Sequence, residues 1–152
     1  MAMPKSVVKI SRDGVTYTSN VDRVQHTLRE LQFRANYDVA RFLMYRMRGE
    51  ISKSKSMRNL PKNRKTNIFQ YWVRKRDNDL QVGIKADTWY GVKGELGSSN
   101  QPKRGILRNT VFDNVNTIRE IQGQYLSAIG NEVEAVRIAE SEQPKETGGN
   151  DD

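Results

Sequence analysis

The chain has 152 residues, with 26 Lys or Arg against 18 Asp or Glu, one histidine and no cysteine. That is the length of one ordinary domain, at a net charge of +8. The missing cysteines exclude zinc–thiolate sites, iron–sulfur clusters, thiol nucleophiles and a disulfide scaffold, and a lone His26 excludes multi-histidine metal sites. The longest apolar run is four residues, Phe42 to Tyr45, so no membrane span is expected. No secretory signal is expected in residues 1–10 either, and the composition points to a soluble, non-enzymatic protein without a cofactor.

In chain order, Val7–Ile10 and Val15–Thr18 flank Arg12-Asp13-Gly14, a tight-turn signal that predicts a short hairpin. Ser19 or Asn20 then caps a helix expected from about Val21 to Arg48, with Asp22 in its first turn and Gly49 as its stop. On that helix Val24, Leu28, Leu31, Ala35, Val39 and Phe42 line one face. Phe33, Tyr37, Ala40, Met44 and Met47 form a second apolar stripe roughly opposite, and Arg23, Arg34, Arg41 and Arg48 share a flank between them. A lone domain needs one buried stripe. The second is therefore expected to meet another chain, the alternative being a helix sandwiched inside its own fold.

Residues 49–67 lose periodicity. They carry Lys53, Lys55, Arg58, Lys62, Arg64 and Lys65 and no acid after Glu50, which reads as a basic loop. Phe69–Arg74 and Leu80–Ala86 alternate apolar and polar positions around Asp77-Asn78-Asp79, predicting an antiparallel hairpin, and Thr88–Val92 is expected to add a third strand. Gly105-Ile106-Leu107 leads into a second long helix from about Arg108, with Gly123 and Gly130 as weak points. Residues 141–152 read as a disordered acidic tail. The expected fold is α+β: one domain over residues 1–140, a small antiparallel β-sheet packed against two long α-helices.

Charge is unevenly spread. Residues 1–110 hold 23 Lys/Arg against 9 Asp/Glu, whereas residues 111–152 hold 3 against 9. A basic portion of +14 followed by an acidic one of −6 attracts polyanions to the first, and nucleic acid is the usual one. Other chemistry has little to stand on. His26 has no serine or cysteine partner at a recognisable spacing, and a structural role is expected. Gly91-Val92-Lys93-Gly94-Glu95-Leu96-Gly97 lacks the Gly-Lys-Ser/Thr ending of a phosphate loop, so its glycines are assigned to turns and close backbone approach. Asp77, Asp79 and Asp87 suit turns. Tyr71, Trp72, Trp89 and Tyr90 could stack on bases but fit cross-strand packing better.

One segment is more specific. Tyr90-Gly91-Val92-Lys93-Gly94-Glu95-Leu96-Gly97-Ser98 resembles the Tyr-Ala-x-x-x-Glu-aromatic-Gly-Thr motif of the head–tail joining, or tail-completion, proteins of long-tailed bacteriophages. Tyr90, Glu95 and Gly97 match in spacing, and Ser98 stands in the threonine position. Gln101-Pro102-Lys103-Arg104-Gly105-Ile106-Leu107-Arg108 is similar to the family's proline-containing approach to the last helix, with Leu107 and Arg108 at its apolar-Leu-Arg entry. A Thr-Gly-x-Leu segment is not found in Ser52–Asn67, and Asn109 occupies a position that is often proline. The resemblance implies a non-enzymatic virion protein of the neck or upper tail, made in the host cytoplasm. It would form a ring with itself, commonly sixfold, beside other neck and tail proteins and around the channel for genomic DNA. On that reading Phe33, Tyr37, Ala40, Met44 and Met47 are the expected subunit interface, with Glu95–Ser99 as a second contact. Lys53, Lys55, Arg58, Lys62, Arg64 and Lys65 are expected near DNA, with Arg34, Arg41 and Arg48 as second choice. The rival expectation is a free basic module that binds nucleic acid without regard to sequence.

Overall fold

A computed structural model describes residues 8–19, 21–54, 61–66, 68–131, 135, 137 and 138. Lys55, Arg58 and the acidic tail fall outside the described residues, as does the side chain of Lys65. The chain begins with β1 (Val8–Arg12) and β2 (Val15–Ser19), paired antiparallel so that Arg12 faces Val15. The two intervening residues, Asp13 and Gly14, have φ of 52° and 79°, the pair of positive values that a two-residue hairpin turn requires and that Asp-Gly supplies.

Helix α1 (Val21–Lys53) is the spine of the fold. It does not stop at Gly49 as its sequence suggests. Ile51, in the next turn, is fully buried in one cluster with Met47 and Ile68, and that burial carries the helix past the glycine. A short helix α2 (Lys62–Thr66) follows, so the expected basic loop is helical at both ends. Strands β3 (Phe69–Arg74) and β4 (Asp79–Ile84) pair antiparallel from Phe69 opposite Ile84 to Arg74 opposite Asp79. They form a second two-stranded sheet separate from the first. Their turn, Lys75–Asn78, is tied to α1. The Nδ2 of Asn36 donates to the Asn78 carbonyl at 3.2 Å, and the Nζ of Lys75 lies 2.5 Å from the buried carboxylate of Glu30.

The expected third strand is instead helix α3 (Trp89–Leu96). Thr, Trp, Tyr and Val favour strands locally, but packing overrides them. Gly91 presents bare backbone to the β3–β4 hairpin, and a Cβ there would sit 2.7 Å from Ile68 Cγ2 and 3.1 Å from Ile84 Cγ2. Beyond α3, the expected single long helix is two: α4 (Ile106–Asp113) and α5 (Val115–Ser127), broken at Asn114 and followed by a 3-10 turn, Ala128–Gly130.

From Leu31 onward both apolar stripes of α1 find cover inside the chain, whereas Val24 and Leu28 at its start are exposed. Phe33 and Ala40 cluster with Val73 of β3, with Tyr37, Tyr71 and Leu80 at the edge. Val39, Leu43, Met44 and Met47 cluster with Ile68, Phe69 and Ile106, and Val111, Ile118 and Ile121 of α4 and α5 close over them. The expected interface residues Phe33, Ala40, Met44 and Met47 are therefore buried core, and Tyr37 is half-buried beside them. From Leu31 onward the helix is sandwiched between the β3–β4 hairpin and the α4–α5 pair, which cover both stripes there. The molecule is a single small domain of mixed α and β structure, predominantly helical.

Candidate functional site

The two segments that carry the phage-family resemblance meet at one side chain. Glu95, at the inner face of α3, is buried, and its two carboxylate oxygens accept hydrogen bonds from the backbone N–H of Leu107 at 2.9 Å and of Arg108 at 3.1 Å. These are first-turn N–H groups of α4, which have no partner within the helix, and a carboxylate there satisfies them and faces the positive end of the helix dipole. Two backbone bonds run parallel to this contact. Arg104 N–H donates to the Gly94 carbonyl at 3.0 Å and Gly105 N–H to the Glu95 carbonyl at 3.3 Å.

The loop between the segments is held just as closely. Ser98 and Gln101 exchange backbone hydrogen bonds of 2.8 and 3.1 Å. Gly97 has φ of 84°, and a Cβ on it would lie 2.9 Å from the backbone N of Lys103, so this position accepts no other residue without strain. Arg104 extends the junction to the far end of α1 through a 2.8 Å bond to the Ser54 hydroxyl. Tyr90 is half-buried, its ring packed on the core and its hydroxyl 3.5 Å from the Arg64 carbonyl of α2. Of the motif residues, then, Tyr90, Glu95, Gly97, Ser98, Leu107 and Arg108 belong to one structural unit. The sequence did not mark Arg104, whose partner Ser54 is 50 residues away.

The second feature is cationic. Arg41, Arg46 and Arg48 of α1 are exposed, whereas Arg34 is buried and so leaves the set of candidate surface cations. Arg46 lies over the Phe42 ring, 5.3 Å from its centroid. Both Arg41 and Arg48 are near enough to the Tyr71 hydroxyl to pull its pKa down. Desolvation and a hydrogen bond with Tyr37 outweigh them, so the net direction is upward. Lys62 and Arg64 are exposed on α2, and Lys53 is exposed but engaged by Glu50 at 2.7 Å. The rigid basic surface thus lies on α1 at least as much as on the segment after it. Tyr45, 77% exposed among these arginines, is a residue that sequence reasoning passed over as part of an apolar run.

A third feature is apolar. Gly91, Gly94 and Glu95 turn inward on α3, which leaves Trp89, Val92 and Leu96 outward at i, i+3 and i+7, with Lys93 4.8 Å from the centroid of the Trp89 ring. Trp89 is accordingly a surface residue and not a cross-strand one, while Tyr71 of β3 makes an edge-to-face contact with Tyr37, centroids 6.1 Å apart. His26 lies 3.8 Å from the buried carboxylate of Glu30. Among the described residues no cluster of three or more His, Cys, Asp or Glu could hold a metal ion, and no helix is long and apolar enough to cross a membrane. Comparison of the chain with family models, with curated proteins and with solved structures gave no match.

Proposed function

We propose that this chain is a non-enzymatic virion protein of a phage neck or upper tail, one subunit of a ring that joins head to tail or completes the tail around the DNA channel. The observation that carries the reading is the Glu95 junction. The two sequence segments that resemble the head–tail joining family become, through one carboxylate, a single rigid corner between α3 and α4.

With the second stripe of α1 buried, the subunit contact passes to the exposed face of α3, beside the motif loop Glu95–Ser99. Trp89, Val92 and Leu96 form an apolar patch that a neighbouring copy would cover. Exposed Lys93 lies beside it, over the Trp89 ring, and residues 111–152 of the next copy supply net charge of the opposite sign. A ring needs two different surfaces per subunit, and this pairing of an apolar-basic face with an acidic portion has that asymmetry. Exposed arginines on α1 and the cations of residues 53–65 would then serve the channel through phosphate contacts indifferent to base sequence.

The direct test is genetic. Phage lacking this chain should accumulate filled heads and tails that fail to join, and supplying the protein in trans should restore joined particles containing it. Joined, infectious particles in its absence would overturn the reading. The rival, a free nucleic-acid-binding module, draws on the exposed α1 arginines, and it would be favoured if the protein were found on intracellular nucleic acid and never in particles.

A further inference from the structure

On α1, residues 41, 45 and 48 fall on one face, since they are separated by four and three positions. At 1.5 Å of rise per residue the tyrosine stands about 6 Å along the axis from one arginine and about 4.5 Å from the other. All three are exposed, Tyr45 at 77%, the most exposed of the large apolar and aromatic side chains among the described residues. Among the described residues no carboxylate pairs with Arg41 or Arg48, although Arg74, Lys75, Lys53 and Lys85 each have an acidic neighbour. The backbone beneath is fixed: Ala40, Leu43, Met44 and Met47, on the other side of the same two turns, are core. An aromatic ring held in water on a helix between two guanidiniums that no described carboxylate pairs is costly for solubility and gains nothing in folding.

We infer that the Arg41–Tyr45–Arg48 face of α1 is a binding site for single-stranded nucleic acid, with a base stacked on the Tyr45 ring and the flanking phosphates held by the two guanidiniums. A duplex offers phosphates to the arginines but keeps its base faces stacked within the helix, so it leaves the tyrosine without a partner. An unpaired strand or a frayed end satisfies all three groups. Guanidinium is the cation that suits this arrangement, because it binds phosphate through a fixed fork of donors. The inference rests on the neck reading only for the source of the strand, an exposed genome end within the channel.

The experiment measures binding of the full chain to a labelled oligothymidylate and to a duplex of equal length, at several salt concentrations. The oligothymidylate should bind more tightly than the duplex. Tyr45→Ala should weaken it about tenfold while leaving duplex binding unchanged, as the loss of one stacked base requires. Arg41→Gln and Arg48→Gln should each lower the log–log salt slope by about 0.7. Arg119→Gln, at an exposed site on α5, should change neither. Circular dichroism confirms that each variant is folded. Equal or tighter binding of the duplex, no effect of Tyr45→Ala, or an equal effect of Arg119→Gln would overturn the site. Particle incorporation, followed separately, tells the two readings apart. A Tyr45→Ala chain that joins particles with strand binding lost supports the site, whereas strand binding by a chain that never enters particles would count against the neck reading alone.

Discussion

A carboxylate that accepts two backbone N–H groups is a helix cap whose partner lies twelve residues away in sequence, and Glu95 has this role at the start of α4. Its replacement by alanine removes both acceptors from a buried corner and should cost roughly 1–2 kcal/mol. Glu95→Gln keeps one carbonyl acceptor and should lose about half as much, and urea unfolding of the three proteins measures the order. Tyr125 makes a different prediction. Burial first, and then its short hydrogen bond to Asp38, push its hydroxyl up from 10.0 to about 12. The folded state therefore favours the neutral phenol. That stabilisation is whole below pH 10 and is lost as the pH rises through about 12. Tyr125→Phe has no proton to lose there, so the difference in stability between it and the parent chain should shrink steadily above pH 10. A constant difference would mean that neither burial nor Asp38 holds the proton on the phenol in the folded chain.

At the scale of elements, glycine decides two outcomes of opposite sign. Gly91→Ala drives a methyl group to within 2.7 Å of Ile68 Cγ2 and should destabilise by about 1–3 kcal/mol as α3 is pushed off the hairpin. Gly49→Ala meets nothing within 4 Å in the interior of α1 and should stabilise by about 0.5–1 kcal/mol. Thermal or urea unfolding reads both, and equal effects would refute the packing of α3. The same residues explain what the sequence disclosed. Both hairpins were legible because their signals are local: positive φ at Asp13-Gly14, and alternation from Phe69 to Arg74. Helix α3 was not, because Thr88, Trp89 and Tyr90 have strand propensity and the deciding fact, the nearness of Ile68 and Ile84 to Gly91, is tertiary. Two apolar stripes on α1 were visible as periodicity, but periodicity says only that a face must be covered. Whether the cover is β3 or a second chain depends on where a hairpin that starts 36 positions after Phe33 comes to lie. Of the site, the positions of the motif residues could be read, yet the bond from Glu95 to α4 could not.

Across the whole molecule, α1 divides the work. Its core-facing residues bind the hairpin on one side and α4–α5 on the other, Arg41 and Arg48 share an exposed face with Tyr45, and α3 presents an apolar face elsewhere on the surface. On the proposed neck reading this arrangement separates folding from assembly, and two aspartate substitutions test the separation. Met44→Asp places a charge in the main core cluster and should leave the chain unfolded or aggregated, because an unpaired carboxylate there costs several kcal/mol, of the order of a small domain's total stability. Leu96→Asp places the same charge on a side chain that is 67% exposed, and the isolated protein should keep its unfolding midpoint within about 0.5 kcal/mol. The apolar patch of α3 is small beside the ~800 Å² per partner of a stable interface, so the isolated chain should run as a monomer with or without the substitution. In a ring every subunit repeats the contact, and closure makes each one conditional on its neighbours. Leu96→Asp should therefore be absent from joined particles while its fold and its monomeric state in light scattering are those of the parent chain. Incorporation at the parent level would show that subunits meet through another surface. Loss of the fold in Leu96→Asp would show instead that this face is covered within the chain.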